Sequence, residues 1–197
     1  MRAPHLFFES ERLAYRPLEV GDVDLAIEQW TDAQVVKYVD WDVSSEEKIR
    51  EEMPTVTRRG GEDGWIGIWA LIVKATGEKI GTGVLTPLPI EADDTEWDLV
   101  VMGETPKDRE IEVGYILKRS AWGKGYATEA CERLLQFGFE HSPLDYIVAT
   151  IDPENSASRR VLLKSGLTET GTIRAYGEDI PGFRTTREEW REAHERS

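Results

Sequence analysis

The sequence predicts a mixed α+β fold built in three layers, α/β/α, and two observations support this prediction. Segments with strand and helix periods are interspersed along the chain: one strand, two helices, several strands of antiparallel type, then strand, helix, strand, helix and closing strands. The stretch from Glu110 to Ala130 reads as strand, glycine-rich turn and helix, and the other elements are organised around it. With 197 residues, no internal repeat and no dividing linker, a single domain is expected over residues 1–197.

The elements of the first half are predicted from helix caps and from runs of aromatic and branched residues. A helix is expected to follow Gly21 and Asp22, and a second helix to follow the capping-box spacing of Ser44 and Glu47. Pro54 is expected to end that second helix. The predicted strands of this half are 12–17, 65–74 and 79–85, of which the last two form a hairpin.

The central stretch predicts an anion site. Residues from Ile111 to Leu117 have the period of a strand, and apolar residues from Ala127 onward recur at helical spacing. Gly123 and Gly125 lie between them, where the first N–H groups of a helix lack internal partners and the helix dipole favours an anion such as a phosphate. The stretch matches neither the GxGxxG nor the P-loop signature, so a plain strand-to-helix connection is the alternative.

The second half continues with a strand and a helix. A continuous apolar run predicts a buried strand at 146–151, and Asn155 or Ser156 is expected to cap a helix that Gly166 ends. The remaining expectations are an acidic excursion over 87–109 with a short strand at 97–102, closing strands at 167–175 and around 183–186, and a polar tail from Trp190.

Composition argues against several classes of function. The net charge of −14, from 24 basic and 38 acidic residues, disfavours nucleic acid and anionic membranes as partners and is compatible with an amine-bearing partner. Cys131 is the single cysteine, which excludes an internal disulfide, and its place on an apolar helix face predicts a buried, inert thiol. The three histidines have no ligand spacing, so no metal site is expected. The sequence contains no recognisable signal peptide or membrane span, and a cytoplasmic location is expected.

Three stretches of the chain resemble the GCN5-related N-acetyltransferase (GNAT) superfamily, and within it the ribosomal-protein alanine N-acetyltransferases (RimJ/RimL-like). They are SERLAYRPLEVGDVD near the start, EVGYILKRSAWGKGYATEA in the centre and NSASRRVLLKSGL in the second half. The resemblance extends from about residue 10 to about residue 187. It implies a GNAT-like, mostly antiparallel sheet that splays between its fourth and fifth strands, with acetyl-CoA in the gap as co-substrate for acetylation of a primary amine.

The resemblance also implies which residues contact acetyl-CoA. Main-chain groups of Tyr115, Ile116 and Leu117 would pair with pantetheine at the splayed strand, and Asn155 would contact it from the next helix. The other implied residues are Gly123, Lys124, Gly125, Ala127 and Thr128 at the pyrophosphate, Trp122 packed beneath the loop, and Arg160 near the 3′-phosphate.

Two side chains are candidates for the chemistry that the resemblance implies. Glu112 lies on the central strand facing away from Tyr115 and is the candidate general base; the alternative is a solvated or salt-bridged carboxylate. A strand N–H at the bulge would stabilise the oxyanion. Ser158 would face the sulfur and protonate the leaving thiolate; the alternative is an ordinary first-turn serine. Trp41 matches an aromatic residue near the acceptor pocket of this branch.

One departure from the branch keeps a second hypothesis open. An Arg-Glu-Tyr stretch is frequent after the sixth strand of this branch, whereas this chain has Arg174, Ala175 and Tyr176. The missing acid leaves a non-catalytic acyl-CoA-binding sensor or scaffold as the alternative to an enzyme. The acceptor is open between a protein N-terminal amine and a small-molecule amine, and the oligomeric state between monomer and homodimer.

Overall fold

The structure, a computed structural model, describes residues 6–39, 43–59, 64–91 and 110–195. The strands in these ranges are β1 (Phe8–Glu9), β2 (Leu13–Pro17), β3 (Gly67–Val73), β4 (Lys79–Pro87), β5 (Ile111–Leu117), β6 (Tyr146–Thr150), β7 (Thr168–Ala175) and β8 (Glu178–Thr186). The helices are α1 (Val23–Trp30), α2 (Glu46–Val56), α3 (Tyr126–His141), α4 (Ser156–Lys164) and α5 (Arg187–Glu195). The short strand expected at 97–102 and most of the acidic excursion lie outside the described residues.

The strands form one sheet in the order β1-β2-β3-β4-β5-β6-β8-β7. The pairs are antiparallel except β5 with β6, which is parallel and registered at one position, Glu112 with Val148. By contrast, β4 and β5 are registered at seven positions, from Gly81 with Leu117 to Pro87 with Ile111. The predicted splay is therefore confirmed: β5 and β6 are the fourth and fifth strands when neither the two-residue β1 nor the short strand expected at 97–102 is counted.

Helices cover both faces of the sheet, as the three-layer prediction requires. Side chains of β3 alternate between two apolar clusters, because successive strand residues point to opposite faces. Leu71 packs in the large cluster with α3 and α4, whereas Ala70 packs in the smaller cluster with α1 and α2. Cys131 of α3 is fully buried in the large cluster, and this burial raises the pKa of its thiol to about 12, as expected of an inert cysteine.

Two predicted helix boundaries are wrong. Ser45, not Ser44, caps α2, since its Oγ accepts a hydrogen bond from the Lys48 N–H at 3.2 Å. The helix also continues through Pro54 to Val56. A proline near a helix end removes one main-chain hydrogen bond, and the last turn is retained because Met53 is buried against α1 and its carbonyl accepts from Thr57 N at 3.0 Å.

The C-terminal region is more regular than predicted. Strand β8 spans nine residues rather than the short piece expected around 183–186, and α5 replaces the expected polar tail. Thr186 and Glu189 form the reciprocal hydrogen bonds of a capping box at the start of α5, and Trp190 packs against Phe139 of α3 with ring centroids 5.8 Å apart. No helix in the described ranges is long and apolar enough to cross a membrane.

Candidate active site

The loop between β5 and α3 has the geometry of an anion cradle. Gly123 and Gly125 adopt φ of +73° and +80°, a left-handed conformation that L side chains rarely take, and Gly125 is the residue that precedes α3. A Cβ at Gly123 would meet no atom within 4 Å, so the backbone conformation rather than space selects glycine there. The loop thus exposes main-chain N–H groups at the positive end of a 16-residue helix.

The remaining residues expected at the pyrophosphate lie in or beside this loop. Lys124 is exposed, while Ala127 and Thr128 are half-buried in the first turn of α3. Thr128 and Gly125 line an open hollow of about 360 Å³, and Lys164 of α4 lines the same hollow. The loop and its surroundings therefore place a hydroxyl and a cation near the exposed N–H groups.

Trp122 does not pack beneath the loop as expected. Its side chain is 48% exposed, and its indole N–H donates to the Leu117 carbonyl at 2.8 Å. The Ile116 carbonyl is also occupied, because it accepts from the side-chain amide of Gln29 at 2.8 Å. Of the three strand residues expected to pair with pantetheine, Tyr115 is left with the main-chain groups best suited to the role.

The orientation of β5 supports this choice. Lys118 N donates to Ile80 O at 2.9 Å, and Glu110 O accepts from Leu88 N at 2.8 Å, so even-numbered residues present their main-chain groups to the β4 side. Strand residues alternate in this respect, so Tyr115 presents its N–H and C=O toward β6. Since β6 is registered only at Glu112, these groups face the gap between the two strands.

The α4 side of the gap holds a pair of hydroxyl groups. Tyr115 Oη and Ser158 Oγ lie 2.9 Å apart, within hydrogen-bonding distance. Ser158 is fixed in the first turn of α4 because its N–H donates at 3.0 Å to the side chain of Asn155, the helix N-cap, as the sequence predicted. Burial raises the pKa of Tyr115 far above its usual value, so this phenol stays protonated at neutral pH.

The opposite side of the gap holds the candidate base. Glu112 is an odd number of residues from Tyr115, so its side chain projects from the other face of the sheet, where it is 7% exposed. Its carboxylate accepts hydrogen bonds from the hydroxyls of Tyr176 and, at 3.4 Å, Thr150. The carboxylate is therefore buried among hydroxyl donors rather than solvated.

Tyr176 reaches Glu112 from a strained turn. Among the described residues it is the non-glycine residue with positive φ, at 54°, in the two-residue connection between β7 and β8. Its N–H donates to Pro89 O at 3.1 Å, and the next residue, Gly177, donates to Ile90 O at 2.9 Å. These bonds connect the turn, from which the tyrosine hydroxyl reaches the carboxylate, to the chain that follows β4.

One candidate residue does not join this arrangement, and another cannot be placed. Arg160 is exposed on α4, and its Nη1 lies 3.4 Å from Ser156 Oγ. Ala175, at the position of the missing acid, is fully buried. Trp41 lies outside the described residues. No group of three His, Cys, Asp or Glu side chains within the described part of the chain is arranged to hold a metal ion.

Sequence reasoning missed four contributors: the Tyr115 hydroxyl, the Tyr176 hydroxyl, Gln29 and Arg12. Each acts through a contact between segments far apart in the chain. Tyr115, Tyr176 and Arg12 lie in stretches that the resemblance had marked, but nothing in those stretches indicates the partners that these side chains contact.

Comparison with known proteins is consistent with this geometry. The family model described as an acetyltransferase (GNAT) domain matches residues 12–168. The "Uncharacterized N-acetyltransferase p20" of Bacillus licheniformis is 29% identical over 167 residues, which are 85% of this chain and 85% of that protein. The crystal structure of a GNAT-family acetyltransferase from Bacillus anthracis aligns at 25% identity with a TM-score of 0.68, covering 90% of this chain and 95% of that one.

A more distant structure shares the fold alone. The ribosomal L7/L12 alpha-N-protein acetyltransferase RimL, solved in complex with coenzyme A, aligns at 16% identity with a TM-score of 0.68. The alignment covers 91% of this chain and 97% of that chain.

Proposed function

Since this chain belongs to the GNAT family of acetyltransferases and is an acetyl-CoA-dependent N-acetyltransferase, we propose that it acetylates a primary amine by direct attack within a ternary complex. The observation that carries the proposal is the gap between β5 and β6, which has the Tyr115–Ser158 pair on one face and Glu112 on the other. Donor and acceptor substrates would approach the gap from these two faces.

The proposed binding site for acetyl-CoA follows the splayed strand and the loop. Tyr115 would pair with pantetheine through its N–H and C=O, with Asn155 alongside on α4. The N–H groups of Gly123 to Ala127 would hold the pyrophosphate, helped by the hydroxyl of Thr128. Arg160 and Trp122, both exposed, would contact the outer part of the ligand. When bound, acetyl-CoA supplies the acetyl group as a thioester.

Glu112 would act as the general base. An attacking amine must lose a proton as its nitrogen bonds to the acetyl carbon, and the Glu112 carboxylate would take that proton directly or through one water. Tyr176 and Thr150 donate hydrogen bonds to this carboxylate and hold it in one orientation. Another strand N–H that faces the gap would stabilise the carbonyl oxygen as negative charge develops there.

Ser158 would act on the leaving group. As the carbon–sulfur bond breaks, its hydroxyl would give a proton to the departing thiolate and recover one from solvent. The Tyr115 hydroxyl, 2.9 Å away and protonated at neutral pH, would hold Ser158 Oγ in place and stabilise it during the transfer.

We place the chain in the RimJ/RimL-like branch and leave the acceptor as an N-terminal or small-molecule amine. The net charge of −14 supports a cationic acceptor through long-range attraction. The carboxylate that the branch carries directly after the arginine is absent at Ala175, but Glu112 accepts a hydrogen bond from the neighbouring Tyr176 and supplies a carboxylate there. This arrangement favours an enzyme over a non-catalytic binding module. The proposal keeps the cytoplasmic location expected from the sequence.

Thermal unfolding with and without acetyl-CoA tests the cofactor, with ATP as the control. A ligand at a hundred times its dissociation constant stabilises the fold by about 2.7 kcal/mol, which for a chain of this size raises the Tm by roughly 5–10 °C. A shift with acetyl-CoA and none with ATP supports the proposal. Release of free thiol would then be followed with N-terminal peptides, lysine, polyamines and aminoglycosides. No turnover of any amine by a protein that binds acetyl-CoA would contradict the proposed reaction.

A further inference from the structure

Arg12 connects the start of β2 to the loop that precedes α3. Its Nη1 donates to the carbonyl of Lys124 at 2.8 Å, and its Nε donates to Glu129 Oε2 at 2.6 Å. Its main-chain N–H donates to the other carboxylate oxygen of Glu129, also at 2.6 Å. The guanidinium also lies 4.7 Å from the centroid of the Tyr126 ring. The Arg12 side chain thus binds both the loop and the first turn of α3.

The hydrogen bond to Lys124 has a consequence for the next residue. The peptide unit between Lys124 and Gly125 is planar and trans, so its C=O and its N–H point in opposite directions. Holding the carbonyl on the Arg12 side therefore aims the Gly125 N–H to the other side of the loop. Gly125 is also at φ +80°, and a glycine there would otherwise sample several orientations of this peptide.

Glu129 keeps Arg12 in that position. Its Oε1 accepts a second hydrogen bond from Ser10 Oγ at 2.6 Å, and its main-chain carbonyl accepts from Tyr15 Oη at 3.4 Å. Burial alone raises the pKa of Glu129, but the hydrogen bonds from Ser10 and Arg12 outweigh it and lower that pKa below its usual value. The carboxylate therefore stays ionised at neutral pH and anchors the guanidinium.

We infer that Arg12 is a positioning residue for the co-substrate: it orients the Lys124–Gly125 peptide so that the Gly125 N–H faces the pyrophosphate. This inference rests on the proposed role of the loop in binding acetyl-CoA. Arg12 acts through the loop and is not a catalytic residue. It governs the affinity for the pyrophosphate and leaves the chemistry at the gap unchanged.

Arg12→Ala tests the inference, with Arg133→Ala as the matched control. Arg133 also links the N-terminal strands to α3, since its Nε donates to Glu9 O at 2.8 Å and its guanidinium lies over the Phe8 ring. These partners lie away from the loop. The ligands are acetyl-CoA and S-acetylpantetheine, which lacks the pyrophosphate. Both would be measured by titration calorimetry and by KM and kcat for a competent amine.

Arg12→Ala should weaken acetyl-CoA binding roughly 10- to 100-fold, the loss expected for hydrogen bonds from a charged group. Its kcat, and its affinity for S-acetylpantetheine, should stay within twofold of wild type, and Arg133→Ala should match wild type with both ligands. The inference would be overturned if Arg12→Ala and Arg133→Ala lost the same affinity for acetyl-CoA. It would also be overturned if Arg12→Ala lost as much affinity for S-acetylpantetheine as for acetyl-CoA. Wild-type protein that fails to bind acetyl-CoA would instead refute the proposed function.

Two further variants keep the test decisive. Arg12→Lys retains the positive charge but cannot span Lys124 O and Glu129 with a planar fork, so its affinity should fall as well. Full affinity in Arg12→Lys would show that charge alone suffices and would overturn the inference. Should Arg12→Ala fail to fold, Glu129→Gln leaves the arginine in place with a weaker anchor and should weaken acetyl-CoA binding in the same ligand-selective way.

Discussion

The two sides of the β5–β6 gap are built in different ways. On the α3 side, the proposed pyrophosphate contacts come from a contiguous run, Gly123 to Thr128, and are mostly main-chain N–H groups. On the opposite side, Glu112 and Tyr176 are 64 residues apart in sequence, and both contribute side chains. The residues of the α3 side are adjacent in the sequence, whereas Glu112 and Tyr176 come together only when the sheet has formed.

The layers that support the two sides also differ. Helix α3 packs through apolar side chains, whereas α1 is preceded by Asp22, a buried carboxylate bound at 2.7 Å by both Arg16 and Lys79. A ligand common to a whole family can be held by backbone geometry, but a particular acceptor needs side chains that vary. The proposed cofactor side therefore depends on backbone conformation, and the proposed acceptor side depends on contacts between side chains.

The largest expected effect is on the acceptor side. Glu112→Gln removes the proposed base, and kcat should fall about 10³-fold, within the range typical of general base catalysis. Acetyl-CoA affinity should be unchanged, because the glutamate faces away from the loop. The matched control is Glu110→Gln, an exposed position immediately before the same strand, which should keep its wild-type kcat. Equal kcat values for Glu112→Gln and wild type would remove Glu112 from the mechanism.

Gly123→Asp should prevent tight binding of acetyl-CoA at the loop. It places a carboxylate where the pyrophosphate is expected, and repulsion between charges a few ångströms apart should weaken acetyl-CoA binding roughly 100-fold or more. Gly123→Asn is the control, since asparagine has the same shape, tolerates the left-handed conformation and carries no charge. Calorimetric titration of both variants separates charge from strain. Similar affinities in the two variants would mean that no anion binds beside Gly123.

Acid should affect the α1 layer through Asp22. Burial alone raises its pKa, but hydrogen bonds from Arg16 and Lys79 outweigh this and lower the pKa to about 2, from an ordinary value near 3.8. A lowered folded-state pKa stabilises the fold above the ordinary value, so about 2 kcal/mol of unfolding free energy should disappear as the pH falls from about 4 to 2. Urea unfolding across this range measures it.

Two variants distinguish the contribution of Asp22 from other causes of lost stability at low pH. Asp22→Asn should be destabilised at neutral pH and should lack this part of the acid dependence, while Asp24→Asn, an exposed neighbour on α1, should follow wild type. Parallel pH curves for Asp22→Asn and wild type would show that the ion cluster does not support this layer.

The smallest expected effect concerns the hydroxyl pair on the α4 side. Ser158→Ala should lower kcat about 10-fold, since water can replace a proton donor in part, and Tyr115→Phe should cost less because it acts through Ser158. The double variant should cost no more than Ser158→Ala if the two hydroxyls act as a unit. Additive losses measured in initial-rate assays would show that they act independently.

Local signals in the sequence predicted the central strand, the loop and the cap of α4. Glycine at 123 and 125 indicates a left-handed backbone conformation, and Asn155 indicates a helix N-cap. Each of these features can be predicted from adjacent residues in the sequence. The hydrogen-bond partners of Glu112 could not be predicted from adjacent residues, because Thr150 lies on β6 and Tyr176 lies in the β7–β8 turn. Helix α5 was missed although Thr186 and Glu189 have capping-box spacing, since its polar surface resembled a tail.

The turn that carries Tyr176 bears on how this protein evolves. Asparagine or glycine would suit φ of +54° better than tyrosine, which costs on the order of 1–2 kcal/mol there. Selection for folding alone would therefore replace this tyrosine. In a library sorted first for heat resistance, Tyr176 should be lost early, and the same clones should be the ones that fail when they are sorted again for acetyl transfer.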